Sequence, residues 1–373
     1  MKSFRRYLTS QTEADLREKM VFIGGPRQVG KTTLAAHLSG FNPKGYLNWD
    51  IPEHREKILK QEWPLSRLWV FDELHKYHSW RNVLKGLYDQ HKTTHRILVT
   101  GSARLNVYRH GGDSLQGRYH YLRLHPLSVA ELKINSEKEL MNLLTLGGFP
   151  EPFFRGKKTD AKRWSREYRT RLIHEDITSL ERIQDLGNLE LLMLRLPELV
   201  GSPLSANAIR EDLQVSHGTV KNWLTVLEKL YAIFRISPFG APKIRAVKKE
   251  QKHYHFDWTL VDEPGVRFEN MVACHLLKWV NAKQDTEGED LDLRYFRDVD
   301  GREIDFIVTR KEKPILAIEC KWQDSELSKS LPYFKARFPA CEMWQISAIG
   351  KKDYLSREAT RVAPALVFLK TLV

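Results

Sequence analysis

The stretch "GGPRQVGKTTL" sets one lysine inside a frame of glycines. Gly25, Pro26, Arg27, Gln28, Val29, Gly30, Lys31 and Thr32 fit G-x-x-x-x-G-K-[ST] at every fixed position, with Thr33 next in line. Glycines let successive backbone N–H groups turn inward around a phosphate, and the start of the following helix adds a field that favours an anion. Lys31 is expected to reach the β- and γ-phosphates of a nucleoside triphosphate, and Thr32 to offer its hydroxyl to Mg²⁺. Downstream, "RLWVFDE" ends an apolar run in Asp72 and Glu73. At a strand end the first carboxylate can hold Mg²⁺, directly or through water, and the second can orient and deprotonate the attacking water. A third run, "RILVTGSAR", ends in Thr100 and Ser102, hydroxyls able to contact the γ-phosphate or its water. Arg118, in "SLQGRYHYLRLHPLSVAEL", is a charge that can stabilise a phosphoryl transition state within one chain or from a neighbour. The anion these residues suit is a nucleoside triphosphate, with Mg²⁺.

A second constellation lies in "GREIDFIVTRKEKPILAIECKW". Strand alternation puts Asp305 on one face while Ile304, Phe306 and Val308 take the other. A turn centred near Glu312 places Asp305 opposite Glu319, and Lys321 shares the face of Glu319. Two carboxylates converging with a lysine can bind a divalent metal and polarise a water or phosphate. Exposed charge on an alternating hairpin is the plainer reading of the same residues. Glu303 faces the side of Asp305 and is either a helper or a bystander.

These residues need elements to position them. Short apolar runs alternate with helical patterns through the first third, the pattern of a parallel α/β sheet. "MVFIGG" reads as the strand feeding the glycine loop and "KTTLAAHL" as the helix after it. From about Glu137 to Leu199 the pattern is helical. "LSANAIREDLQVSHGTVKNWLTVLEKL" then reads as a helix-turn-helix. Ile209, Leu213 and Val215 pack the first helix and turn; Val220, Leu224, Leu227 and Tyr231 line one face of the second; Ser216 is its N-cap. His217, Thr219, Lys221 and Asn222 are the residues such a helix presents to a DNA groove. Lys243, Arg245, Lys248, Lys249 and Lys252 follow in a basic hairpin, the wing. The alternative for this module is a spacer or protein contact with solvated lysines. A last unit starts with a helix over Glu269 to Val280, an acidic loop from Asp285 to Asp292, and strands. Histidines His75 and His78 lack partners at metal-ligand spacing and read as packing or surface residues.

The 373 residues suffice for two or three domains, and 42% hydrophobic against 29% charged residues describes a folded chain. A net charge of +13, from 60 basic and 47 acidic residues, is compatible with a phosphate-rich partner. Cys274, Cys320 and Cys341 form no C-x-x-C, so neither a disulfide framework nor a cysteine zinc site is expected, and a reducing cytoplasm is the expected compartment. The opening residues lack the apolar core of a signal peptide, and no apolar run spans a bilayer, so no membrane partner is expected.

"GPRQVGKTTL", "FDELHKYHSWRNVLKGLYD", "VTGSARL", "SLQGRYHYLRLHPLSVAEL" and "GGFPEP" together resemble the bacterial and archaeal AAA+ family called AAA_14. Its members commonly carry a C-terminal region named DUF4143. The resemblance implies that Ser102 lies at sensor 1 and that Arg118 is an arginine finger, which in such proteins usually acts across a subunit interface of a homo-oligomer. It also implies a winged helix in the middle. The "D…ECK" residues are similar to the PD-(D/E)xK nuclease pattern. By that likeness Asp305 and Glu319 coordinate Mg²⁺ or Mn²⁺ with help from Glu269, and Lys321 positions or activates water. Isoleucine stands before Asp305 where the named pattern has proline, and the basic segment before "HYHFDW" is longer than the family leads one to expect. The expected fold is α/β in three parts: an AAA+ P-loop parallel-sheet domain over residues 1–136, a helical lid and winged helix over 137–258, and a restriction-endonuclease-like domain over 259–373. The expected function is ATP-dependent DNA processing with DNA cleavage; the alternative is a nucleotide-switched tether for DNA or protein with an inactive nuclease fold.

Overall fold

The apolar runs around the glycine loop become strands whose side chains are covered on both faces, as in parallel sheets flanked by helices. The computed structural model describes residues 4–40, 42–101, 115–177, 185–240 and 251–373. The chain divides into two compact units, one ending at His125 and one starting at Pro126.

In the first unit, β1 (Met20–Gly24), β2 (Tyr46–Asn48), β3 (Leu68–Asp72), β4 (Arg96–Gly101) and β5 (Tyr119–Arg123) form a parallel sheet in the order β2-β3-β4-β1-β5. Every residue of β1 is buried, and Phe22, Trp69, Phe71, Trp80 and Val99 anchor the core on one face. From β1 the chain goes to the far edge, returns through β3 and β4, then passes β1 to reach β5. Open parallel sheets bind ligands outside the carboxyl ends of their strands, at the point where the order switches. The glycine loop after β1, the acids closing β3 and Thr100 in β4 all lie at that end. Ser102 lies outside the described residues.

The second unit holds an eight-stranded mixed sheet: β6 (Ile233–Pro238), β7 (Lys252–His255), β8 (Leu291–Arg297), β9 (Glu303–Arg310), β10 (Lys313–Lys321), β11 (Glu342–Ser347), β12 (Tyr354–Leu355) and β13 (Thr360–Pro364), in the order β12-β13-β11-β10-β9-β8-β6-β7. Ser237 pairs with Arg294, so the strands after the helix-turn-helix continue the sheet of the C-terminal region. The helices Ala206–Leu213 and His217–Lys229 form the helix-turn-helix, with Ser216 capping the second through Thr219 N–H at 3.0 Å. Ile209, Val220, Leu224 and Leu227 are buried in one cluster, against which Leu213 and Val215 pack. Tyr231 lies beyond the helix rather than on it, in the left-handed region at φ 58°, and is still buried. Lys243, Arg245, Lys248 and Lys249 lie outside the described residues.

The helix that opens the C-terminal region is longer than expected, Pro264–Glu287, about 36 Å at 1.5 Å per residue. Glu263 caps it by accepting from Gly265 and Val266 N–H, Pro264 sits where its missing N–H is harmless, and Gly288 ends it at φ 69°. The acidic stretch from Asp285 is therefore partly helix, and β8 begins at Leu291. Among the described residues no helix is long and apolar enough to cross a membrane.

Three histidines in this unit are buried as neutral rings. His275 accepts from Val129 N–H through Nε2 at 3.1 Å and contacts Met271 O through Nδ1 at 2.8 Å, so a second proton would remove the acceptor. Burial pushes His275 and His253 down to about 4, and His255 down to about 3. These folded values lie below the ordinary 6.5, so the stabilisation is complete above pH 6.5 and is lost as pH falls toward 4. For His275 alone full protonation removes about 3 kcal/mol. The unfolding midpoint should fall steeply between pH 6.5 and 4. His275→Gln should be less stable at pH 7 but lose less on acidification; an unchanged slope in that variant would place the acid sensitivity elsewhere.

Candidate functional site

The glycine loop is shaped by backbone that only glycine tolerates. A Cβ on Gly25, at φ 154°, would lie 2.2 Å from the carbonyl oxygen of Leu124. Gly30 turns the chain into the helix Lys31–Leu38 at φ 100°. Val29 is fully buried, and its carbonyl accepts from the buried Arg6 guanidinium, which also reaches His125 O, each at 2.5 Å. Arg6 thus ties the loop to the chain leaving β5, a role with no local motif to reveal it. Lys31 is buried, and its ammonium donates to Gly25 O at 2.9 Å and Pro26 O at 2.7 Å, which holds it across the loop.

Asp72 is the centre of the arrangement. Thr32 donates to its Oδ2 at 2.9 Å and Tyr46 at 2.6 Å, while Thr100 donates to Oδ1 at 2.6 Å. Strand order explains this: Asn48, Asp72 and Thr100 are in register across β2, β3 and β4. Burial, then the charge of Asp72, pushes the Tyr46 phenol up, so it remains a donor. Thr32 and Asp72 present hard oxygen donors side by side, the chemistry that suits Mg²⁺. Glu73 adopts the left-handed region at φ 54°, a strained conformation for a residue with a Cβ and one concentrated at functional sites. Its N–H donates to Thr100 O at 2.9 Å. Its carboxylate lies 3.6 Å from His75 Nε2 and 3.7 Å from Lys76 Nζ. His75 is buried packing, and burial pushes its ring down.

Arg118 is not with these residues. It precedes β5, and its carbonyl accepts from Met20 N–H at the opening of β1, whereas the loop follows Gly24 at the other end. Five residues of strand separate the two ends, roughly 15 Å at 3.3 Å per residue. Its guanidinium forms a two-point pair with Asp89, at 2.9 and 3.1 Å. Within this unit it faces away from the loop of its own chain.

In the second unit the hairpin forms much as its alternation indicates. Lys311 and Glu312 make the turn, both with positive φ, and Phe306 pairs with Ile318. Continuing that register sets Asp305 opposite Glu319. Asp305 Oδ2 accepts from Cys320 N–H at 2.8 Å, and Lys321 donates to Glu319 Oε1 at 2.8 Å. Glu319 Oε2 is buried with no hydrogen-bond partner. Burial, then the charge of Asp305, pushes Glu319 up to about 7. Glu269 joins the cluster from the long helix, and burial with the Asp305 charge pushes it up to about 8. Its Oε1 accepts from Tyr254 at 2.7 Å, and a Cβ on Gly201 would come within 3.2 Å of its Oε2.

Two of these neighbours escape a linear reading. Tyr254 sits in an aromatic run that reads as core. Lys252 reads as the last wing lysine, yet it is 1% exposed and lies among the acids, 2.5 Å from Glu303 and 3.7 Å from Glu269. Among the described residues no three His, Cys, Asp or Glu side chains stand together as a ready-made metal cage. The orphaned oxygen of Glu319 beside Asp305 fits one divalent ion; Glu269 is turned to Lys252 and Tyr254.

Residues 17–133 match the family model AAA_14, described as an AAA domain. Residues 137–262 match DUF8612 and 264–362 match DUF4143, both described as domains of unknown function. The uncharacterized protein Rv2008c of Mycobacterium tuberculosis is 24% identical over 66% of this chain and 56% of its own length. The uncharacterized protein MJ1637 of Methanocaldococcus jannaschii is 23% identical over 63% of this chain and 60% of its own. The chain thus spans little more than half the length of these relatives. Among solved structures, the Aeropyrum pernix ORC1 protein in complex with DNA aligns with a TM-score of 0.33 and 13% identity, over 71% of this chain and 90% of that one. A STAND protein from Pyrococcus horikoshii aligns with a TM-score of 0.22 and 16% identity, over 76% and 49%. The matches at both ends, on a parallel sheet with its glycine loop and strand-end acids in place, give the chain the architecture of AAA+ ATPases that carry a C-terminal DUF4143 region.

Proposed function

We propose that the chain hydrolyses ATP at the end of the parallel sheet, binds DNA, and cuts it at the acidic cluster of the second unit. At the first site the loop amides and Lys31 bind the phosphates, Thr32 and Asp72 hold Mg²⁺, and Glu73 takes the proton of the attacking water. Bound Mg²⁺ neutralises charge on the β- and γ-phosphates. Arg118, at the opposite end of the sheet from its own loop, suits a finger offered to the ATP of a second copy, which makes the active form a homo-oligomer. Lys221 and Asn222, exposed on the helix capped by Ser216, suit a groove contact. The helix Lys158–Arg171 adds an open face that carries Arg163 and Arg166, with Arg171 paired to Glu167 at 3.2 Å, and its two exposed arginines suit a phosphate backbone. Three free cysteines accord with a reducing cytoplasm.

The observation that carries the nuclease half is the buried, unpartnered Glu319 Oε2 beside Asp305 and Lys321. Asp305 and Glu319 would hold Mg²⁺ or Mn²⁺, which supplies a polarised water or phosphate when bound. Lys321 is placed to orient the attacking water. A second reading, a nucleotide-switched tether with an inactive nuclease fold, draws on the ammonium of Lys252 inside the same cluster.

The two readings part on one assay: cutting of linear, circular and single-stranded DNA with Mg²⁺ or Mn²⁺, with and without ATP. Lys321→Ala should lose cutting and keep ATPase activity, and Lys31→Ala should lose ATPase activity and show whether ATP governs cutting. DNA bound but uncut by the wild type under every condition would establish the tether instead.

A further inference from the structure

Lys252 lies where the acidic cluster draws a cation. It opens β7, pairs through its backbone with Ile236 of β6, and is bridged to Pro203. Its side chain is 1% exposed, with Nζ 2.5 Å from Glu303 Oε1 and 3.7 Å from Glu269 Oε1. The Tyr295 ring closes one side, its centroid 5.5 Å away. Glu269 is therefore met by donors from within the chain, since Tyr254 also donates to its Oε1. The other half of the cluster differs. Asp305 Oδ2 accepts from Cys320 N–H, and Glu319 Oε1 accepts from Lys321, whose side chain is 34% exposed and free to swing out, while Glu319 Oε2 is buried with no partner.

A buried carboxyl group either takes up a proton or stays charged beside a compensating cation. An ammonium fixed by a strand supplies one permanently and competes with any ion for the same oxygens. We propose that Lys252 is the resident cation of the Glu269–Glu303 half, so that the cluster takes one divalent ion, at Asp305 and Glu319, and Glu269 is not among its ligands. The ion at Asp305 and Glu319 rests on the nuclease reading above; the role of Lys252 does not. A two-metal clamp, which needs ligands for a second ion, is closed to this cluster while Lys252 is seated.

The test counts Mn²⁺ bound to the nucleotide-free full chain, from the electron paramagnetic resonance of the free ion. Ions lost in Asp305→Asn belong to the cluster. The wild type should hold one such ion, unaffected by Glu269→Gln. Lys252→Met should hold two, the second lost when Glu269→Gln is added. Circular dichroism checks the fold; where Lys252→Met unfolds, Lys252→Met with Glu303→Gln removes one unpaired charge and carries the same count. Two cluster ions in the wild type, or a single ion lost in Glu269→Gln, would overturn the proposal. No cluster ion in the wild type, with one gained in Lys252→Met, would uphold Lys252 as the resident cation and overturn the nuclease reading instead.

Discussion

Glu73→Gln should slow ATP hydrolysis by about 10²–10⁴-fold, the usual contribution of a positioned general base, while ATP still binds. Glutamine keeps the size of the side chain and leaves the backbone N–H donation to Thr100 O intact. It removes the charge that faces His75 and Lys76, the one proposed to take the proton of the attacking water. Asp72→Asn is the contrasting variant. Three hydroxyls donate to Asp72, from Thr32, Tyr46 and Thr100, so an amide nitrogen there faces a donor and binding should weaken along with turnover. Turnover and the affinity for a fluorescent ATP analogue, measured on both variants, separate the roles. Equal loss of binding in Glu73→Gln would make Glu73 a structural residue, its left-handed backbone serving the turn rather than the chemistry.

The first site was legible because its information is local. A glycine loop between a strand and a helix is set by residues adjacent in the chain, and the acids of β3 follow directly on an apolar run. What closes on Asp72 was less so. Tyr46 arrives only because β2 lies beside β3, and that adjacency is a property of strand order, not of any motif. Arg118 illustrates the same limit from the other side. Its place in the chain, just before β5, puts it at the sheet end away from the loop, which becomes visible only when the parallel register of β1 and β5 is known. At the second site the hairpin of Asp305 and Glu319 could be read from alternation and a short turn. Lys252 could not. Its neighbours Lys248 and Lys249 make it look like one more wing lysine, and only the pairing with β6 and Pro203 carries it inside. The acidic end of the long helix resembles a loop in sequence, while Glu263 and Gly288 set its actual start and stop.

A buried lysine outside both sites shows what a cation contributes to the fold alone. Lys278, on the long helix, donates to Glu131 at 2.6 Å, to Ser128 Oγ at 2.8 Å and to Pro126 O at 3.2 Å. Its side chain is 1% exposed and that of Glu131 is 2% exposed. One carboxylate, one hydroxyl and one carbonyl meet this ammonium, unlike the several carboxylates gathered at Lys252. Lys278→Met should therefore destabilise the fold by about 3–5 kcal/mol, because Glu131 is left buried without its counter-ion. Lys278→Met combined with Glu131→Leu should recover most of that loss, since apolar side chains of similar volume can replace a buried pair at little cost. Urea unfolding of the two single variants and the double variant gives the coupling directly. Additive losses would mean that the pair is solvated in solution and that Pro126 and Ser128, not the ion pair, hold the helix at this point.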